Sequence, residues 1–284
     1  MTMADIPRTR HRLNQLLDKD IFFIIGWTQA GTHWLQVAID AHQQVCCRGE
    51  GHFANLLSPL LTQAFGHYNQ QLRKTNARLR TAGIQGHFHG FDNDDRDLVL
   101  ATAMGLVFSR WVGDAEVKCI GEKTPEQTPH LNLLAGAAPN ARFVHVIRDG
   151  RDEAAFAWDV NLRIDQQGFS EKFPRFSGFA DSFAKLWANN VGRGRAFGRA
   201  NPDRYMEVRC EDLMSEPEPD LRRLCRFLDV GGGDAQVARC AEAGRAANIS
   251  AAVPGLWRHR FDDEALTLFR RQAGEMLKLF EYED

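Results

Sequence analysis

Apolar positions along this chain fall into short unbroken runs separated by stretches with helical spacing. The first run, Ile21-Phe22-Phe23-Ile24-Ile25, ends at Gly26 and predicts a strand buried on both faces of a largely parallel sheet. After a turn from Trp27 to Gly31, Trp34, Leu35, Ala38 and Ile39 recur at helical spacing from Thr32, giving strand, glycine-bounded loop, helix. Val117-Lys118-Cys119-Ile120 reads as a short strand, Arg142-Phe143-Val144-His145-Val146-Ile147 as another, and Tyr205 to Arg209 as a third. Helices are predicted near Phe183 to Phe197, Pro219 to Leu228 and Asp262 to Phe280, and Gly231-Gly232-Gly233 reads as a loop. Thr124-Pro125-Glu126-Gln127 carries the marks of a helix start: a capping threonine, proline at the first position and a capping-box glutamine. Residues 53–113 hold helical patterns with no evident strand and predict a helical insertion or lid.

Strands alternating with helices predict an α/β fold, a central and mainly parallel sheet flanked by helices. The 284 residues suit a single domain spanning 1–284, since sheets covered on both faces often reach this size as one unit. Apolar residues at 44% and charged residues at 25% exclude a disordered or disulfide-stapled chain. A formal charge of -2 without a basic run gives no support for nucleic-acid binding, so any anion site is local. The six cysteines lack CxxC spacing and read as reduced structural thiols. Met1 to Asp20 is polar, and the apolar run that follows is far too short for a signal peptide or membrane span. These features lead us to expect a cytoplasmic protein without membrane insertion; they leave its oligomeric state open.

The loop Gly26-Trp27-Thr28-Gln29-Ala30-Gly31-Thr32-His33 has the glycine spacing of an anion-binding turn at a helix N-terminus, although a purely structural tight turn has the same outline. It is no Walker A motif, because Thr32 and His33 stand where that motif needs Lys and then Ser or Thr. Arg148-Asp149-Gly150-Arg151-Asp152 leaves the strand 142–147 at its carboxyl end, where open α/β sheets bind ligands. His87 and His89 form an HxH pair near Asp92. A metal site is one reading of it, and a hydrogen-bonding or pocket-lining role is the simpler one; we predict no metal. Phe169, Phe173, Phe176 and Phe179 form either an acceptor wall or core.

Taken together, Ile25 to Leu35 and Val144 to Asp152 resemble the two nucleotide-binding signatures of the sulfotransferase family, in order and separation. Gly121-Glu122-Lys123-Thr124-Pro125, Tyr205 to Leu213 and Gly255-Leu256-Trp257-Arg258 are similar to further family segments, so the likeness covers about 21–50 and 117–282. The likeness is of the bacterial type, with some likeness to tyrosylprotein sulfotransferases. The resemblance implies a P-loop-like fold that moves a sulfuryl group from 3'-phosphoadenosine 5'-phosphosulfate, a co-substrate, to a hydroxyl or amine without a metal. The acceptor is then a small molecule, glycan or peptide. It further implies that Glu50, or the nearby His52, is the base and that Lys123 meets the charge developing on the leaving oxygen. Glu50 is alternatively an N-cap or surface carboxylate, and Lys123 a solvated loop lysine.

By the same likeness Gly31, Thr32 and His33 offer amides to the 5'-phosphate, Trp34 covers the adenine or lies in the core, and Arg148 binds the 3'-phosphate. Trp257 and Arg258 belong to the C-terminal nucleotide-binding segment. Departures from the pattern are Gln29 for a basic residue, Ala30 for a serine, Phe156 for the serine partnering Arg148, Ser250-Ala251-Ala252 for a basic triplet and Cys210 for a tyrosine. Charge to offset them is expected from His33 and Lys123, and from Arg151, Arg245 or Arg258 beside Arg148. Two other readings remain: the same fold with a donor lacking a 3'-phosphate, and a catalytically silent nucleotide-binding protein.

Overall fold

A computed structural model of the chain describes residues 6–17, 19–247 and 254–282. After α1 (Ile6–Leu17) come β1 (Asp20–Ile25), α2 (Thr32–Asp40) and β2 (Val45–Arg48). A π-turn at Phe53–Leu57 leads into α3 (Ser58–Thr81) and α4 (Asn93–Val112), two helices that fill the span between β2 and β3. There follow β3 (Cys119–Lys123), a 3-10 turn at Pro125–His130, α5 (Leu131–Ala137), β4 (Arg142–Ile147), α6 (Gly150–Ile164), α7 (Gln166–Lys172) and α8 (Phe176–Ala200). The chain continues through β5 (Tyr205–Arg209), α9 (Cys210–Ser215), α10 (Pro217–Phe227), α11 (Asp234–Ala246) and α12 (Asp263–Leu279).

The five strands form one sheet, ordered β2-β3-β1-β4-β5, and every pairing is parallel. The apolar run of β1 is explained by its central position. Phe22 and Ile24 enter the core beneath α2, α10 and α11, whereas Phe23 and Ile25 enter the core beneath α4 and α5. A third core joins α6, α8 and α12. Phe179 is buried in it, and Phe169, Phe173 and Phe176 pack half-buried against it; the rings of Phe169, Phe176 and Phe179 meet Trp158 edge-on or tilted, and Phe173 leans on Phe169. All six cysteines are buried and free.

The expected helix start at Thr124 takes a different form. Thr124 makes no side-chain cap, and the turn it opens is 3-10. Its hydroxyl donates instead to Glu122 Oε1 at 2.5 Å, and Gln127 Nε2 donates to Glu122 Oε2 at 3.1 Å. A buried carboxylate two residues upstream outcompetes the local cap. Strand β3 also runs on to Lys123, which therefore ends a strand in register with Ile24 rather than standing in a solvated loop. The short edge strand β2 and helix α1 were not foreseen, since four residues and a polar amphipathic segment leave little periodic signal.

Candidate active site

The turn between β1 and α2 lies between the carboxyl ends of β3 and β4. Gln29 and Gly31 have φ of 73° and 89°, and left-handed residues of this kind let consecutive amides converge on an anion. Only glycine fits at 31, because a Cβ there would stand 2.5 Å from Cys210 Sγ as well as require that φ. Gly31 is the N-cap of α2, whose terminus adds a positive dipole end.

A cavity of about 220 Å³ opens on this turn. It gathers Gln29, Gly31, Thr32, His33, Glu50, Lys123 and Arg148 from four separate segments. Thr28, Pro125 and Glu126, which the sequence did not single out, complete the lining. His33 is exposed, its ring 3.3 Å from Gln36 Oε1.

Lys123 Nζ donates to Glu50 Oε1 at 2.5 Å, with its side chain 9% exposed against 35% for Glu50. His52 Nε2 lies 3.2 Å from Glu50 Oε2. Asn55 Nδ2 donates to His52 Nδ1 at 3.1 Å, so a neutral His52 carries its proton on Nε2 and directs it at Glu50. Ligating atoms of Glu50, His52 and Glu126 lie within 4.8 Å of one another, a spacing compatible with a cation, and the Lys123 ammonium already stands against Glu50. His87 and His89 are exposed on the connection to α4, where His87 Nδ1 donates to the Gln85 carbonyl at 3.1 Å.

Glu122, which sequence reasoning passed over as one letter of a motif, holds this arrangement in place. It is completely buried, and its Oε1 accepts from the Gly51 amide at 2.8 Å, fixing the segment that carries Glu50 and His52. Burial pushes its pKa up to about 7, against the hydrogen bonds from Thr124 and Gly51 that favour the charged form.

At the end of β4, Arg148 is 1% exposed and its Nη1 donates to the Gln29 carbonyl at 3.1 Å, tying the anion loop to the neighbouring strand. Arg151 makes contacts of its own. Its guanidinium donates to Asp149 Oδ2 and to the Tyr282 carbonyl, each at 2.8 Å, and lies 4.0 Å over the Trp257 ring. Arg245 pairs with Glu218 at 2.8 Å on the surface, and exposed Arg258 lies 4.7 Å from the other partner of this stack, Trp257. Trp257 is buried, and its amide donates to Asp152 Oδ1 at 2.8 Å. Glu211 explains the Glu-Asp-Leu segment: its Oε1 accepts from the Asp149 amide and its Oε2 from Tyr282 hydroxyl, both at 2.9 Å. Burial raises the Glu211 pKa, and raises that of fully buried Glu153 well above the carboxylate range.

Six sequence-selected residues stand outside the cavity lining: His52, which reaches it through Glu50, and Ala30, Trp34, Phe156, Trp257 and Arg258. Trp34 is 3% exposed within the core, with Gly244 of α11 so close that a Cβ there would strike its six-membered ring, and as it stands its face is closed to a base. Phe156 is half-buried on α6, and Trp257 and Arg258 form the stack just described. Ala30 is buried behind the loop. Ser250-Ala251-Ala252 lie outside the described residues.

Residues 21–232 match the sequence model of the sulfotransferase family. The chain belongs to that family. It is 25% identical over 237 residues to protein-tyrosine sulfotransferase 1 of Danio rerio, covering 82% of this chain and 59% of that one. Against omega-hydroxy-beta-dihydromenaquinone-9 sulfotransferase Stf3 of Mycobacterium bovis it is 29% identical over 117 residues, 38% of this chain and 28% of that one. The chain thus spans less than two thirds of the length of these relatives. Sulfotransferase STF9 from Mycobacterium avium has the same fold, with a TM-score of 0.56 at 13% identity, covering 96% of this chain and 80% of that one. Mouse sulfotransferase SULT7A1, solved with PAP, gives 0.53 at 13% identity over 96% and 94%. Among the described residues no helix is long and apolar enough to cross a membrane.

Proposed function

We propose that this chain transfers a sulfuryl group from 3'-phosphoadenosine 5'-phosphosulfate to a hydroxyl of its acceptor. The observation that carries the reading is the Lys123–Glu50 pair at 2.5 Å on the wall of a cavity whose rim is the amide-bearing start of α2. A carboxylate, an ammonium and a helix N-terminus around one small cavity are what in-line transfer between two oxygens requires. The 5'-phosphosulfate end of the donor fits these groups, and the donor supplies the sulfuryl group on a phosphate leaving group.

Glu50 accepts the acceptor hydroxyl proton as that oxygen bonds to sulfur, with His52 Nε2 holding the carboxylate from its other side. Lys123 stands ready to donate to the bridging oxygen as its bond to sulfur breaks and negative charge collects on it. The α2 amides hold the departing phosphate, and Glu122 keeps the Glu50 segment against β3.

A second reading keeps the fold with a donor that has no 3'-phosphate. It is favoured by Arg151, which is committed to Asp149, Tyr282 and Trp257, and by Phe156 in place of a hydroxyl. Each charge-assisted hydrogen bond to a phosphate is worth roughly 1.5–3 kcal/mol, so two missing contacts weaken binding by about two orders of magnitude or more. Calorimetric titration with adenosine 3',5'-bisphosphate beside 5'-AMP separates the two. Tighter binding of the bisphosphate, with sulfuryl transfer abolished in Glu50→Gln, supports the usual donor. Equal binding favours the second reading, and no binding of either nucleotide overturns both.

A further inference from the structure

Of the twelve exposed large apolar side chains among the described residues, eight fall between residues 56 and 99, in the span between β2 and β3. Helix α3 is 24 residues long, about 36 Å, yet Ser58 is its one buried residue. It packs on the π-turn and on α4, and along its outer half its neighbour is the connection 83–91 running back beside it.

That connection is held as a built element. Asn69 donates to the Phe91 carbonyl at 2.7 Å and accepts from the Phe91 amide at 2.9 Å. Asn76 does the same for Phe88, at 2.9 and 3.2 Å. Two helical turns cover about 10.5 Å and three extended residues about 10 Å, so the two brackets are in step. Side chains at Gly86 and Gly90 would collide with Asn76 and Asn69, and Phe91 stacks on Phe65 at 4.3 Å. Held in this way, the arm keeps Tyr68, Ile84, Phe88 and Phe91 between 43% and 52% exposed.

Charge along the arm is divided. No acidic residue occurs from Gly51 to Phe91, while Arg73, Lys74, Arg78 and Arg80 are exposed on outer α3. The chain then turns acidic at Asp92, Asp94 and Asp95, where α4 begins. An anionic membrane or polyanion suits the basic half and is repelled by the acidic collar. A second copy, reversed, suits both halves at once.

We propose that two copies of this chain associate arm to arm, antiparallel about a two-fold axis. The basic outer half of each α3 then lies on the acidic collar of the other copy, and Ile84, Phe88 and Phe91 are buried between them. Such an isologous contact is self-complementary by construction, and it goes beyond the sulfuryl-transfer reading and does not depend on it.

Sedimentation velocity on the whole chain tests this. At micromolar concentration and low salt the expected species has twice the 32.1 kDa chain mass, dissociating as salt is raised. The Arg73→Glu/Lys74→Glu/Arg78→Glu/Arg80→Glu variant, whose outer half becomes acidic like its collar, and the Asp94→Lys/Asp95→Lys variant, whose collar is left net positive beside a basic outer half, are each expected to self-associate at least about tenfold more weakly. Mixed together they are expected to form a heterodimer, because each outer half again meets a collar of opposite sign. Far-UV circular dichroism confirms that both fold. A monomer at 100 µM, about the upper end of the assay, overturns the proposal. So does a dimer indifferent to both variants, or a mixture that does not reassociate. Binding to phosphatidylserine vesicles without self-association assigns the arm to a membrane surface instead and likewise overturns it.

Discussion

Replacing Glu122 by glutamine tests the electrostatics beneath the candidate active site. Glu122 is fully buried and its pKa is raised from 4.5 to about 7, chiefly by burial. Between those two values the folded chain holds a proton on Glu122 that the unfolded chain has released. The protonated form is thus favoured in the fold, and stability from this group, complete below about pH 4.5, is lost as pH rises through about 7. A shift of this size corresponds to a loss on the order of 3 kcal/mol across that window. In Glu122→Gln no charge forms. The glutamine carbonyl still accepts from the Gly51 amide and Thr124 hydroxyl, and Gln127 Oε1, which has no partner in the wild type, becomes an acceptor for the new amide. Urea denaturation of both proteins at half-unit steps from pH 4.5 to 8 gives a difference curve, in which Glu153 and other buried groups cancel. Glu122→Gln is expected to match the wild type near pH 4.5 and exceed it by on the order of 3 kcal/mol at pH 8. Parallel curves would refute the account of Glu122 as a group neutralised by burial.

Glu50→Gln, which removes the base while keeping a polar side chain beside Lys123, is expected to lower kcat by about 10² to 10⁴ with little change in nucleotide affinity, measured by transfer assay and calorimetry. Lys123→Ala should lower kcat by about 10² to 10³, since it removes the cation at the leaving oxygen, and single-turnover kinetics reads this directly. Gly31→Ala should weaken adenosine 3',5'-bisphosphate binding at least about tenfold and cost about 1–3 kcal/mol of stability, because the alanine meets both a left-handed backbone and Cys210 Sγ. Arg151→Met should cost about 3–5 kcal/mol by urea denaturation, leaving the Asp149 carboxylate buried without its partner.

The parallel sheet was legible because its central strands are buried on both faces: β4 and β5 occupy the spans their apolar runs predict, and β1 begins one residue early. The anion loop was legible for a similar local reason, since a glycine-bounded turn between a strand and a helix specifies its backbone over a few residues. The sequence also singled out Gln29, Gly31, Thr32, His33, Glu50, Lys123 and Arg148, and all of them line one cavity. What remained hidden were groups whose roles depend on partners far along the chain. Glu122 serves a loop 71 residues away, and Arg151 reaches the Tyr282 carbonyl across 131. Neither separation leaves a periodic trace.

Local chemistry also misdirected where burial reversed it. Thr124, Pro125 and Gln127 spell a capped helix, but Glu122 buried beside them has no water to satisfy it and draws both Thr124 and Gln127 to itself. Trp34 stands at an adenine-stacking position in the motif, yet Gly244 leaves a space that its ring fills. The sequence by itself determined the sheet, the anion loop and the identities of the chemical groups around it, because backbone preference and burial on two faces act over a few neighbouring residues. Only the tertiary structure decided which arginine holds the loop, which carboxylate faces Lys123 and which is buried beneath it. Those assignments rest on desolvation and on contacts between segments that nothing but the fold brings together.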